Sequence, residues 1–491
     1  MNYIGIDLGT SSVKLLLTAP DGRVLITASR SYPCSFPHPG WSEQDPGLWI
    51  EATWDALKEL LADTDKSQIG GIATAGQMHG LVALDDQDRP IRPAILWNDG
   101  RTVKEVDYLN NVIGRKVLSA RTANIAFAGF TAPKILWMRE NEPENYARIR
   151  RIMLPKDYIT YKLSGVFATD YSDASGTLLL DVEHKDWSDD MLALCGLDRS
   201  QVPALYESYQ AVGTILPKVA EEFGLPAGVK IVAGCGDNAG AAIGTNTVKD
   251  GTMNLSLGTS GTLFIASDTF KVDPTNALHS FDHASGRYHL MGCMLSAASC
   301  NMWWYETVLK TKDYGKETQG LTQDRMGRGH VYFLPYLMGE RSPLNDAAAR
   351  ACFIGMTMDT SRLDMAQAVL EGVSFALRDS LEVARSQGIK VTHSCLVGGG
   401  AKSQVWQQML ANILNLRLDL PAVPEGPGFG AAILAMVADG VYPTVDQAAQ
   451  ALFSLRGSVE PDPEVVKRYD EQYQKFRLLY PALKEVFPNL G

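Results

Sequence analysis

The sequence predicts an α/β protein made of two related halves with a cleft between them. Three observations point there: the length, a short string that recurs in one structural context, and helical segments alternating with strands. At 491 residues the chain exceeds one ordinary core and suits two large domains. The segment YIGIDLGTSSVKLLLTAPDGRVLITASRSY reads as an apolar strand, a Gly-Thr-Ser-Ser turn, a second strand, an Asp-Gly turn and a third strand. Near the middle, GTMNLSLGTSGTLFIAS repeats strand, turn and strand, and the shared LGTS stands at 8–11 and 257–260. The expected halves are 1–245 and 246–491.

The other elements follow in order. LWIEATWDALKELLAD carries apolar residues at helical spacing, and IGGIATAGQMHGLVALDDQDRP returns to strands with a turn at Asp85-Asp86. In the second half, DMAQAVLEGVSFALRDSLEVARSQG is a long helix ending near Gly388, and VTHSCLVGGG is a buried strand running into glycines. The helix SQVWQQMLANILN starts from that glycine turn. Beyond Pro463, Val466, Tyr469, Tyr473, Phe476 and Tyr480 recur three or four apart, and this stripe predicts a helix packed on its own domain. It covers too few heptads for a zipper, and Pro481 interrupts it.

Hydrophobic residues at 45% and charged residues at 21% are the balance of a globular protein. A net charge of -11 without a long basic run argues against a nucleic-acid groove or an anionic membrane surface, so small molecules are the expected ligands. Asp7 breaks the apolar start that an export signal needs. No stretch is long and apolar enough to span a bilayer. Seven scattered cysteines without a CxxC pair read as reduced thiols in the cytoplasm. The sequence leaves a homodimer open.

The chemistry begins at the two turns. Gly9, Thr10 and Ser11, and again Gly258, Thr259 and Ser260, present backbone N–H groups and hydroxyls as phosphate oxygens require. Either copy alone is explained by a tight turn; the pair in matching context points to a triphosphate gripped from both sides. Asp7 would face those phosphates across a divalent cation, and Lys14 would neutralise charge or simply be solvated. No Walker A string occurs. Gly398, Gly399, Gly400 and Ala401, between a strand and a helix, allow close approach of a nucleotide, with Asn412 further along that helix. Gly428-Phe429-Gly430-Ala431-Ala432 is a second small-residue helix entrance, suited to an adenosine wall or to close packing.

VAGCGDNAGAAIG at 232–244 places Asp237 between a buried strand and a helix, as a general base for phosphoryl transfer or as a helix cap. Asn238 follows it. Gln77, Met78 and His79 in ATAGQMHGLV, and Asn98 and Asp99 in ILWNDGR, set amide, carboxylate and imidazole groups at strand ends, as a polyol needs. His79 also suits a satisfied turn histidine.

Together these residues resemble the FGGY carbohydrate kinases. Both family signatures stand here, GFTAPKILWMREN at 129–141 and ACFIGM followed by DMAQAVLE across 351–371. The resemblance runs through essentially the whole chain. It implies duplicated actin/hexokinase-like (ribonuclease H-like) ATPase domains, ATP and Mg²⁺, and a small ketose as substrate. It makes Asp237 the catalytic base and, with Asp7, a metal ligand, and sets Met78 and His79 against the sugar. Within the family IDLGTSSVK, SEQDP, GQMHG, LPKDY, CGDNAG, LSAASC and LPYLMGERSP are most similar to members acting on D-xylulose. Kinases for D-ribulose, L-ribulose, erythrulose or glycerol would share the ATP machinery, and an actin-like ATPase would lack the sugar. Glu340 and Arg341 belong to the last string without an assigned role.

Overall fold

The computed structural model describes residues 1–423 and 426–490. Strands β1 (Asn2–Leu8), β2 (Ser12–Thr18) and β3 (Val24–Ser31) form the expected antiparallel meander. Helix α1 (Pro46–Leu60) starts where the Asp45 carboxylate accepts the Gly47 N–H at 2.8 Å, with proline in the first turn. Its Trp49, Ala56, Leu57 and Leu60 are buried on the face that packs on β2 and β3. Strand β4 (Ile69–Gly76) then runs parallel to β1. Two helices follow before the next strand of the sheet, α2 (Thr131–Asn141) and α3 (Pro155–Ser164). Short β5 (Ala211–Thr214) borders β6 (Lys230–Gly236), which is parallel to β4 and leads directly into α4 (Asp237–Gly244). The sheet order is β5-β6-β4-β1-β2-β3.

A second sheet repeats the plan. Its strands are β7 (Thr252–Leu257), β8 (Gly261–Ser267), β9 (His279–Asp282) and β10 (Tyr288–Met294). Helix α5 (Arg362–Ser386) precedes β11 (His393–Val397), and α6 (Gln404–Leu414) precedes β12 (Arg417–Pro421). Helix α7 (Gly426–Ala438), edge strand β13 (Leu455–Val459) and α8 (Pro463–Phe476) complete it. In the order β9-β10-β8-β7-β11-β12-β13, the first two strands of the half are again antiparallel and the next two again parallel. Both LGTS turns therefore occupy the same hairpin of equivalent sheets.

Helix α5 opens with a capping box between Ser361 and Asp364, and Gly388 beyond its end takes a left-handed φ of 79°. The tail helix α8 lays Tyr469, Tyr473 and Phe476 against Phe375 of α5, as the aromatic spacing predicted. All seven cysteines are free. Among the described residues no helix is long and apolar enough to cross a membrane.

Helix α7 corrects one expectation. Although it follows the second sheet in sequence, it packs on α4 and on β1 and β4 of the first. The Gly428 and Gly430 entrance is this packing surface and not a wall for adenosine. A Cβ on Gly5 would collide with the Gly428 carbonyl oxygen, and one on Gly430 with the Gly240 carbonyl oxygen. Backbone thus meets backbone, while Phe429, Ile433, Leu434 and Met436 are buried around the contact, each contributing about 1.5–3 kcal/mol. We expect Gly5→Ala to cost ~1–3 kcal/mol and to lower Tm by several degrees in thermal unfolding. Gly457→Ala, where a Cβ would meet nothing within 4 Å, is the control; equal Tm values for the two would show that the helix is not held against the strand.

Candidate active site

Strand β6, buried from its second residue onward, ends at Gly236, and Asp237 is the first residue of α4. Gly236 occupies the capping position, so the carboxylate is not the cap. Its Oδ1 accepts the Asn238 N–H at 2.7 Å and the Asn238 Nδ2–H at 2.9 Å. Among the described residues Oδ2 has no partner. Burial pushes the Asp237 pKa up to about 6, against the pull of the Asn238 hydrogen bonds. A carboxylate with one free oxygen and a pKa close to neutrality suits a general base.

Facing it is the loop after β4. His79 has a left-handed φ of 69°, which a non-glycine residue adopts only when its surroundings hold it there. Three bonds do so. Thr131 Oγ1 and Lys134 Nζ both donate to the His79 carbonyl, at 3.0 and 2.9 Å, and Nδ1 lies 2.7 Å from the Gly176 carbonyl. Because a carbonyl only accepts, Nδ1 carries the proton and Nε2 is left as an acceptor for a ligand hydroxyl. Burial, with the Lys134 cation behind it, pushes the His79 pKa down to about 3, so the ring is neutral. Lys134 is itself fully enclosed, donates also to the Gly129 carbonyl at 2.5 Å, and has its pKa driven well down by burial. The Met78 side chain fills the space over Gly236 and Gly176, with its sulfur 4.0 Å from Asn238 Nδ2. Met78, His79, Asp237 and Asn238 therefore share one wall.

Two expected sugar contacts are struts instead. The Gln77 carboxamide is buried; its Oε1 accepts from Thr10 Oγ1 at 3.2 Å and its Nε2 donates to Gln44 at 3.2 Å. It ties the sugar-side loop to the first phosphate turn, which Trp97 also reaches through Nε1 to Thr10 Oγ1 at 2.9 Å. The Asp99 carboxylate is 0% exposed and accepts from Arg101 Nε and Nη2 and from the Ser42 N–H. Arg101 in turn lies over Trp41, 3.7 Å from the ring centre. Asp99 thus holds its loop closed, while neighbouring Asn98 is exposed.

On the nucleotide side, Asp7 and Lys14 are directly opposite across β1 and β2, flanking Gly9, Thr10 and Ser11. In the other half Gly258 and Thr259 line a cavity of about 950 Å³ with Gly399 and Gly400. A Cβ on Gly399 would point into open space, so this cradle keeps room for a ligand. Ser260 completes the turn at the start of β8, half-buried. The turn is braced from behind: Thr259 O accepts the Ala297 N–H at 3.0 Å and Ser299 Oγ–H at 2.8 Å. Ala401 is buried beneath the turn, where its carbonyl accepts from Gln407 Nε2 at 2.6 Å. Asn412 is wholly enclosed, accepting the Asp462 N–H at 2.8 Å. Neither lines the cavity: Asn412 is on the buried face of α6, and Ala401 is buried in the turn that precedes it. Ser299, Met302, Tyr314, Thr318 and Gln404, which do line it, escaped sequence reasoning; only LSAASC carried a signal.

Family models place this geometry. The FGGY carbohydrate kinase N-terminal domain matches residues 2–244 and the C-terminal domain 253–438. The chain belongs to the FGGY family of carbohydrate kinases. Its halves have the duplicated actin/hexokinase-like fold, and it is an ATP-dependent sugar kinase. It is 43% identical to a xylulose kinase of Escherichia coli, covering 98% of this chain and 99% of that protein. A xylulose kinase of Klebsiella pneumoniae is 42% identical over the same shares. Among solved structures, ligand-bound xylulose kinase from Lactobacillus acidophilus superimposes with a TM-score of 0.95 at 25% identity, covering all of both chains. Gluconate kinase from that organism gives the same TM-score and identity, covering 100% of this chain and 99% of its own.

Thr131 reaches the wall only through its hydrogen bond to the His79 carbonyl. Thr131→Val removes one hydrogen bond and should lower kcat/KM for the sugar about five- to tenfold, with the KM for ATP unchanged and Thr131→Ser restoring most of the loss. Equal losses for sugar and ATP in steady-state kinetics would make Thr131 a general packing residue.

Proposed function

We infer that this kinase transfers the γ-phosphoryl group of ATP to D-xylulose, giving D-xylulose 5-phosphate. The observation that carries the mechanism is the free Oδ2 of Asp237 at the head of α4, on the wall shared with Met78 and His79. The C5 hydroxyl gives its proton to that oxygen as its own oxygen bonds to the γ-phosphorus, and the bond from that phosphorus to the β-phosphate oxygen breaks to release ADP. His79 Nε2 accepts from a second hydroxyl, Asn238 offers a donor, and Met78 supplies the apolar side of the pocket. The first half holds sugar and base, and the second half, through Gly258, Thr259, Gly399 and Gly400, receives the nucleotide.

Support for D-xylulose comes from sequence. The fold alone does not select the sugar, since a gluconate kinase and a xylulose kinase match it with one TM-score. Xylulose kinases from several bacteria share 34–43% of its residues over nearly the whole chain. Asp7, at the end of β1 beside the first phosphate turn, would hold a magnesium ion that takes its other ligands from water and phosphate, while the one free oxygen of Asp237 is kept for the proton. When bound, that ion would neutralise charge on the phosphates. Seven free thiols suit a reducing, cytoplasmic setting.

ADP release should require an acceptor. Across D-xylulose, D-ribulose, L-ribulose, erythrulose, glycerol and gluconate, a coupled assay is expected to give the highest kcat/KM for D-xylulose. Faster turnover of another acceptor overturns the substrate and leaves the kinase. Asp237→Asn should reduce kcat by about 10²–10⁴ while ATP still binds, as calorimetry would measure.

Proton acceptance needs the ionised form of Asp237, so activity is lost as pH falls through its raised pKa. We expect kcat/KM for the sugar to rise with pH, bend near about 6 and level off above it. A profile that stays flat down to pH ~4.5 would place the carboxylate in an ordinary solvated setting.

A further inference from the structure

Arg341 is an arginine whose guanidinium forms no ion pair with a carboxylate among the described residues; its polar neighbour is the Cys293 thiol of β10, whose pKa burial raises while the Arg341 charge and hydrogen bond pull it down. Its backbone is fixed firmly. Glu340 Oε1 accepts the Leu295 and Arg341 N–H groups at 2.9 and 2.7 Å, and the Ser342 N–H bonds the Cys293 carbonyl of β10 at 2.9 Å. Burial pushes the Glu340 pKa up to about 8, against two backbone hydrogen bonds and the charge of Arg341, and its Oε2 has no hydrogen-bond partner among the described residues, so it serves mainly to hold the backbone.

From this anchor in the second half the side chain crosses to the first. The guanidinium carbon lies 5.3 Å from the centre of the Phe127 ring, and Nη2 would stand 3.6 Å from a Cβ on Gly129. Phe127 packs on Phe130 at 5.4 Å between centroids, and Phe130 on His79 at 4.7 Å. Gly129 is the residue whose carbonyl Lys134 holds together with that of His79. Arg341 therefore stands over the His79 wall. Behind burial as the main cause, its cation helps hold down the pKa of His79, Lys134 and His279. Its contacts with Phe127 and Gly129 lie on the His79 side of the site.

A guanidinium only donates, in a planar fork that matches two neighbouring acceptor oxygens. With the transferred hydroxyl at Asp237, the oxygens left for the far end are those at C1 and C2. We propose that Arg341 is a sugar-binding residue supplied by the second half, donating to the C2 carbonyl and C1 hydroxyl oxygens of the ketose. The sugar is then held from both halves, and its binding is coupled to their relative position. This assignment rests on the ketose reading of the site.

The test is steady-state kinetics of Arg341→Met and Arg341→Lys, with Tm measured for both. Arg341→Met should raise the KM for D-xylulose about 10–100-fold, leave the KM for ATP and the Tm in place, and be partly rescued in Arg341→Lys. On 1-deoxy-D-xylulose, which lacks one of the two oxygens, the penalty in kcat/KM should shrink by about twofold or more. A fall in kcat at unchanged sugar KM would put Arg341 on the transferring phosphoryl group and overturn the proposal, as would an undiminished penalty on the deoxy sugar. Should wild-type protein prefer another acceptor, the D-xylulose reading fails by itself, and the split between sugar KM and ATP KM, measured on that acceptor, still decides whether Arg341 binds sugar.

Discussion

The contact on which the rest of the structure depends is backbone against backbone, where α7 lies on β1 and α4 with only glycines between them. Gly5, Gly240, Gly428 and Gly430 leave no side chain of their own at the points where backbone meets backbone. A helix from the second half of the chain is thereby built into the packing of the first sheet. The head of α4, where Asp237 stands, and the end of β1, where Asp7 stands, are both positioned by the same helix. Any extra methyl group here would displace the base and the first phosphate turn together, because interiors at this density transmit strain.

Around the sugar wall the dominant force is desolvation. It acts in opposite senses on the two key groups, raising the Asp237 carboxyl and lowering the His79 imidazole. The outcome is a base near neutrality beside a permanently neutral acceptor, without a competing proton on the histidine. Lys134 shows the same economy of charge. Enclosed and shifted downward, it acts as a hydrogen-bond donor to two carbonyls and fixes a backbone conformation that the loop would not adopt unaided.

The sequence-level account of the site succeeded where chemistry is written into short strings and failed where a side chain's direction matters. Asp237, Asn238, Met78 and His79 meet on one wall, and Gly258, Thr259, Gly399 and Gly400 meet in one cavity. Gln77, Asp99, Ala401 and Asn412 are polar or small residues in equally suggestive strings, yet each faces inward and is committed to a neighbour. The two sets stand side by side in the same strings, and only the direction each side chain takes in the fold separates a candidate ligand contact from a strut.

What the sequence by itself determined is the duplicated plan. Alternating apolar residues set the meanders, helical spacing set α1, α5 and α8, and the recurrence of LGTS marked equivalent hairpins, because these are local patterns with fixed periods. Tertiary structure decided the rest: that the GFGAA helix crosses to the other half's sheet, that Thr131 and Lys134 of a distant helix clamp His79, and that Arg341 reaches over Phe127. Such pairings join residues tens to hundreds of positions apart, and the free energy that selects them is burial and close packing of surfaces that exist only after both elements have formed.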